Sequence, residues 1–129
     1  MKTNHMAMLA ACAALGLGTT AQGHHSTAMF DFSKKIEVTG TVKDFEWTNP
    51  HTWTNVRVEG GRTAGVYGLE GMSPNYLARN GWTKRTLKAG DKVLFEVHPL
   101  KDGRKGGFMV SARLADGTVL YNLPRRPEK

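Results

Sequence analysis

The chain has 129 residues, of which 40% are hydrophobic and 22% charged, and it contains a single Cys. This length allows one small globular domain and excludes a multidomain enzyme. With 18 Lys and Arg against 11 Asp and Glu, the formal net charge is +7, which favours an anionic partner such as nucleic acid or a membrane surface if the protein stays in the cytoplasm.

Residues 1–23 have the three-part form of a secretory signal peptide. Lys2 precedes an apolar run that is too short for a permanent membrane span, which needs about 20 residues, and the small residues Ala21 and Gly23 precede the expected cleavage point. We therefore expect export to the periplasm and a mature chain that begins at His24. A lipoprotein anchored at Cys12 is a weaker alternative, because little apolar sequence precedes its lipid-attachment box.

Cleavage after Gly23 removes Cys12, so the mature chain has no Cys. Disulfides, thiolate metal sites and cysteine nucleophiles are thereby excluded from the expected mature form.

The first half of the mature chain predicts a meander of three strands. Residues 36–42 alternate with period two, and the alternation continues on the opposite parity at Phe45 and Trp47. One extra residue near Lys43 and Asp44 would return Phe45 and Trp47 to the face of the earlier apolar residues, which predicts a bulge or a sharp bend. Two further alternating runs follow at residues 52–58 and 65–70.

A short helix is predicted next, with Ser73 as its cap, Pro74 at its first position and Gly81 as its left-handed stop. Asp116 and Gly117 form a predicted tight turn near the end of the chain. Three more strands are expected at residues 93–97, 108–114 and 118–121.

Three strands, a short helix and two strands follow one another in the order of an OB-fold. We therefore predict an all-β protein, an OB-fold-like small barrel of five or six strands with one short helix. A generic β-sandwich is the alternative. The expected organisation is a signal peptide at 1–23, an N-terminal arm at 24–35, the barrel at 36–121 and a basic tail at 122–129.

The expected mature chain has four histidines, and they are the candidate metal ligands: His24, His25, His51 and His98. His51 follows the predicted first strand, and His98 ends the fourth strand on the face opposite Val97. In OB-folds the loops at these places flank the usual ligand cleft, so His51 and His98 are expected near one region.

A terminal His24 can chelate a metal through its amine and its ring, because the amine releases its proton near neutral pH. With one or two of His25, His51 and His98 completing the set, the donors are all nitrogen, which suits copper best and zinc or nickel next. Oxygen from Asp31, or sulfur from Met29 or Met109, is a further donor for reduced copper.

Simpler roles compete with metal binding. The pair His24 and His25 is alternatively a mobile chain end. His51 alternatively donates to a carbonyl in its turn, and His98 is alternatively an ordinary surface residue.

Catalytic motifs for hydrolysis or phosphate binding are absent from the sequence, so enzyme activity is not predicted, and a copper redox enzyme stays as a third, weaker alternative. Basic residues lie in the loop from Lys101 to Lys105 and after the helix at Lys84, Arg85 and Lys88. Export argues against nucleic acid as their partner, and a solvated basic face is the simpler interpretation.

Several short motifs together resemble an uncharacterised family of small exported bacterial proteins that share a domain of unknown function. The motifs are His24-His25-Ser26, Glu46-Trp47-Thr48-Asn49-Pro50-His51, Gly71-Met72-Ser73-Pro74-Asn75, Gly81-Trp82-Thr83 and Gly90-Asp91. The resemblance implies one compact β-rich periplasmic domain in which His24, His25 and His51 recur and the position of His98 varies.

The histidine pattern and the family resemblance together predict a periplasmic copper-binding protein that buffers or delivers the metal. The alternative is a metal-free binding module whose cleft, lined by Trp47, Trp53 and residues 101–105, holds a small anionic ligand, a glycan or an envelope protein. No transmembrane segment and no nucleic-acid partner are expected in the mature chain.

Overall fold

A computed structural model describes residues 27–125 of the chain. The predicted signal peptide, His24, His25 and the last four residues of the predicted tail lie outside the described residues. The described elements, in chain order, are a 3-10 turn at Thr27–Met29, β1 at Ile36–Glu46, β2 at Trp53–Val58, β3 at Gly65–Glu70, α1 at Pro74–Arg79, β4 at Lys92–Pro99, β5 at Gly106–Arg113 and β6 at Val119–Tyr121.

The first five strands close into a barrel. Strand β1 pairs antiparallel with both β2 and β4, and β2–β3 and β4–β5 are antiparallel as well. A short parallel ladder between β3 and β5 completes the closure, and β6 extends beside the far end of β5. The predicted OB-like barrel is confirmed, and the β-sandwich alternative is wrong because one continuous sheet closes on itself.

The predicted bulge in β1 is present. Val42 pairs with Val56 and Asp44 pairs with Asn55, which leaves Lys43 without a partner in β2. The extra residue returns Phe45 to the core side, where it packs against the buried cluster. Strand β1 can therefore bend and pair along both of its edges.

The barrel interior is filled by apolar side chains from every strand of the barrel and from the segment around α1. Ser73 caps the helix by accepting a hydrogen bond from the Tyr76 amide, and Gly81 ends it with φ at +86°. The Trp82 amide then donates to the Leu77 carbonyl at 3.0 Å, so the indole turns inward. The buried core consists of Val38, Val42, Val56, Leu69, Leu77, Trp82, Leu87, Val93, Phe95, Val97, Met109 and Ala112.

An arm precedes β1 and docks along the outside of the barrel. Phe30 forms an isolated bridge with Leu100, and the Asp31 amide donates to the Pro99 carbonyl at 2.8 Å. Phe30 is only 3% exposed. The arm thus belongs to the folded domain from its first described residues.

At the other end, Asn122 falls in the predicted tail and is fully buried. Its side chain accepts from the Met72 amide at 2.8 Å and donates to the Met109 carbonyl at 2.6 Å. Within residues 27–125, helices long and apolar enough to cross a bilayer do not occur.

Candidate functional site

A row of register partners runs around the outside of the barrel. Each member is the Cα partner of the next, in the order Glu46 on β1, Trp53 on β2, Glu70 on β3, Phe108 on β5 and His98 on β4. The row faces outward, because Leu69 and Val97, the residues directly before Glu70 and His98, pack into the core.

His51 contacts the middle of this row. It lies in the loop between β1 and β2, after the cis peptide bond between Asn49 and Pro50. Its Nδ1 hydrogen-bonds to Oε1 of Glu70, and 27% of its side chain is exposed. The alternative in which the His51 ring donates to a turn carbonyl is therefore wrong.

Glu70 is a buried carboxylate, with 2% of its side chain exposed. Its Oε1 contacts His51, whereas its Oε2 is buried and has no hydrogen-bond partner among the described residues. Buried carboxylate oxygens are nearly always hydrogen-bonded or paired with a cation, so this oxygen marks an unsatisfied position.

The backbone beside Glu70 is held in place by buried polar groups. The Thr52 hydroxyl donates to the Met72 carbonyl at 3.0 Å, and the Gly71 amide donates to the Thr52 carbonyl at 2.8 Å. A Cβ on Gly71 would clash with the Thr52 hydroxyl, so only glycine fits there. These contacts fix the position of the Glu70 carboxylate relative to the His51 loop.

His98 lies at the other end of the row, beneath the arm. The residue is 8% exposed, and its Nδ1–H donates to the Lys34 carbonyl at 2.6 Å. The Phe32 ring packs against the His98 ring with centroids 5.1 Å apart. The expectation of an ordinary surface histidine is therefore wrong.

Aromatic rings join His98 to the rest of the row. Phe30 and Phe32 contact Phe108 at centroid distances of 5.4 and 6.1 Å, both as tilted or edge-on contacts. Phe108 lies between His98 and Glu70 in the row, so it separates the two. His51 and His98 thus share one outer face without direct contact in the described structure.

The remaining predicted donors occupy different surroundings. Met109 is a core residue at 2% exposure, whereas Met29 is exposed on the arm. Asp31 accepts hydrogen bonds from the Ser33 hydroxyl and amide and pairs with Lys34, and the Ser33 hydroxyl in particular lowers the pKa of the Asp31 carboxyl. Among residues 27–125, three His, Cys, Asp or Glu side chains do not converge at any point to form a metal-binding group.

The predicted cleft of the metal-free alternative is divided in the structure. Trp47 packs against the core, whereas the Trp53 ring lies beside Gly68 on the outer face. The Lys105 side chain lies against Gly65. Gly65 is three residues before Gly68, so the two glycines belong to opposite faces of β3. Of these side chains, Trp53 alone is a member of the outer row.

A shallow cavity of about 290 Å³ lies at the opposite ends of β4 and β5. Arg85, Lys88 and Lys92 line it together with Asp91 and Asp116, so its charges largely balance. The cavity contains no histidine and is separate from the row.

Sequence reasoning missed Glu70 and the aromatic anchor of the arm. The sequence offered one signal for Glu70: it directly follows Leu69, so its side chain falls on the outward face of β3. An exposed glutamate would have the same position in the pattern. Glu70 is buried only in the folded barrel, where β3 pairs with β5.

The chain belongs to a family of unknown function, DUF6152, which matches residues 12–110. No curated protein and no solved structure matches the chain significantly. The family membership confirms the resemblance to an uncharacterised domain.

Proposed function

We propose that the chain is an exported protein that binds one transition-metal ion, copper in preference to zinc or nickel, through His24, His25 and His51. Its role is to buffer or deliver the metal in the periplasm. The observation that supports this most strongly is the hydrogen bond between the His51 ring and the buried carboxylate of Glu70.

The hydrogen bond sets which nitrogen of His51 is available. An ionised carboxylate only accepts, so Nδ1 carries the hydrogen and the neutral ring has its lone pair on Nε2. A carboxylate behind a histidine is the usual second shell of a metal site, since it orients the ring and increases its basicity. His51 therefore has the support that a metal ligand needs.

The unsatisfied oxygen of Glu70 favours a cation as the occupant. A buried carboxylate with one unpaired oxygen repels an anion and attracts positive charge or an N–H donor. Glu70 thus places a negative charge at this point of the outer face, although the whole chain is basic. This local charge supports a metal ion rather than a small anionic ligand.

The two N-terminal histidines are the proposed partners of His51. They precede the described residues, and the arm that follows them is held on the barrel by the hydrogen bond from the Lys101 amide to the Met29 carbonyl at 3.0 Å. The proposal therefore takes its remaining nitrogen donors from the segment just before the arm.

The donor chemistry selects the metal class. Imidazole nitrogens and an amine, without thiolate, bind divalent copper more tightly than nickel or zinc. His98 is the weakest candidate for a fourth ligand, because it is buried beneath Phe32 and Phe108 lies between it and Glu70.

A copper titration of the exported chain tests the proposal. Wild type should bind one copper per chain, and His51→Ala should weaken binding at least tenfold while circular dichroism stays unchanged. Equal affinity in the two proteins would refute a site at His51.

A second candidate function is a metal-free module that binds a glycan on Trp53. The observation that favours it is the open surface at Gly68, where an added Cβ would meet only Asn55 and Trp53 at van der Waals distance. A sugar ring can pack on an indole beside an amide of this kind. Quenching of Trp53 fluorescence by oligosaccharides, lost in Trp53→Leu and blocked in Gly68→Ala, would support this function over metal binding.

A further inference from the structure

Trp53 and Asn55 border a bare stretch of β3 on the outer face of the barrel. One residue separates them, so they share a face of β2, and Gly68 is the Cα partner of Asn55. A Cβ at Gly68 would lie 3.8 Å from the Asn55 side-chain oxygen and 3.9 Å from Cζ3 of Trp53. Neither packing nor a positive φ therefore demands glycine at this position. The missing side chain leaves room for a small ligand that touches Trp53 and Asn55 at once.

The bulge in β1 places a carboxylate beside Asn55. Val42 pairs with Val56, so Lys43 would be the partner of Asn55 in a regular ladder. The extra residue shifts the register by one, and Asp44 takes that position instead. Its Oδ1 accepts a hydrogen bond from the Asn55 Nδ2 at 2.7 Å.

This hydrogen bond fixes the orientation of the Asn55 amide. A carboxylate ion only accepts, so the amide nitrogen faces Asp44 and the amide oxygen faces Gly68. Within residues 27–125, the amide oxygen of Asn55 and the Oδ2 of Asp44 have no hydrogen-bond partner. A ligand beside Gly68 therefore meets acceptors and has to supply hydrogen-bond donors.

We infer that Asp44 and Asn55 bind hydroxyl groups of a neutral sugar whose ring packs on the Trp53 indole. The inference rests on the second candidate function, glycan binding at Trp53, and does not involve the metal. Sugars combine an apolar C–H face, which suits an indole, with hydroxyl donors at the ring edge, which suit the two acceptors. A carboxylate or sulfate group on the sugar would instead be repelled by the charge of Asp44.

A glycan array tests this assignment with the full chain. The array carries neutral hexose and N-acetylhexosamine oligosaccharides beside uronic-acid, sulfated and free-amino forms of similar length. Asp44→Asn keeps an oxygen that can accept from Asn55 but removes the charge, whereas Asn55→Ala removes the amide. Asn75→Ala, on α1, is the matched control for the loss of an exposed amide. Circular dichroism verifies that each variant is folded.

Wild type should retain the neutral oligosaccharides in preference to the charged forms. For the sugar retained best, calorimetry should show a loss of affinity of about 3- to 10-fold in Asp44→Asn and in Asn55→Ala, the usual effect of one hydrogen bond, and no loss in Asn75→Ala. Preferential retention of uronic-acid, sulfated or free-amino forms would overturn the assignment to a neutral sugar.

Deoxy analogues of the same sugar locate the contact. Removing the hydroxyl group that Asn55 binds should weaken wild type about 3- to 10-fold and leave Asn55→Ala unaffected, because that variant has already lost the partner. Equal losses in wild type and in both variants, for every hydroxyl group removed, would show that Asp44 and Asn55 make no contact with the sugar.

The glycan-binding function fails separately. If wild type retains no sugar, or if Trp53→Leu retains the same sugars as wild type, that function is wrong and the inference falls with it. If Trp53→Leu loses the sugars but Asp44→Asn and Asn55→Ala bind them as wild type does, only the role of Asp44 and Asn55 is wrong.

Discussion

Glu70 and Phe108 are register partners in the parallel ladder that closes the barrel between β3 and β5. The ladder therefore places a buried carboxylate next to the aromatic ring that anchors the arm. Closure of the barrel and assembly of the candidate site depend on the same few backbone contacts. Changes that open this ladder should therefore affect both fold and site.

Replacing Glu70 by Gln should weaken copper binding about 10- to 100-fold, the usual effect of removing the carboxylate behind a ligating histidine. Glutamine preserves the size of the side chain but not its charge. Competition with a chromophoric chelator measures the affinity, and thermal unfolding verifies that the variant is folded. Glu46→Gln is the matched control, because Glu46 is an exposed member of the same row and should have little effect. Equal losses in both variants would indicate a general charge effect.

Acetylating the amine of a chain that begins at His24 should weaken copper binding at least tenfold, or about 1.4 kcal/mol. The acetyl group removes the amine nitrogen as a donor and thereby destroys the proposed chelate with the His24 ring. Visible absorption of the copper complex should shift as well, because one nitrogen donor is lost. If the acetylated chain binds copper with unchanged affinity and spectrum, the amine is not a ligand.

Gly107→Ala should destabilise the barrel by about 1–3 kcal/mol, the usual cost of overpacking. A Cβ there would clash with the His98 carbonyl and the Val97 side chain. Gly68→Ala is the control on the neighbouring strand, where the Cβ has ordinary contacts, and should stay within about 0.5 kcal/mol of wild type. Urea unfolding compares the two, and similar stabilities would contradict the close approach of β4 and β5.

Acid should weaken the turn that the Asp31 carboxylate stabilises within the arm. The hydrogen bond from the Ser33 hydroxyl holds the pKa of the folded carboxyl below its usual value of 3.8. Since the folded pKa is lowered, the stabilisation is present above pH 3.8 and is lost as the pH falls through the folded pKa. NMR titration of the Asp31 carboxyl measures it, and Ser33→Ala should raise that pKa towards the usual value. A pKa above 3.8 in wild type would contradict the observed contacts.

Local sequence patterns were sufficient for most of the fold. The bulge at Lys43 followed from a change of parity, and the cap at Ser73 and the stop at Gly81 followed from residue types that suit those backbone positions. Such features depend on neighbours in sequence, so they can be predicted without knowledge of the tertiary structure.

The candidate site was only half predictable from the sequence. His51 stood out because a histidine in a loop has no packing task, whereas Glu70 is distinguished only by burial and by its contact with His51. Both depend on pairings between segments distant in sequence. The arm illustrates the same point, since Phe30 and Phe32 anchor it by packing on Phe108, which lies on β5.

Native mass spectrometry of the chain purified from the periplasm, with and without added copper, tests the central claim most directly. The proposed function predicts a mature mass that starts at His24, one copper per wild-type chain, and loss of that copper in His51→Ala. A wild-type chain that stays metal-free with excess copper, or a His51→Ala chain that binds it equally well, would contradict the proposed function.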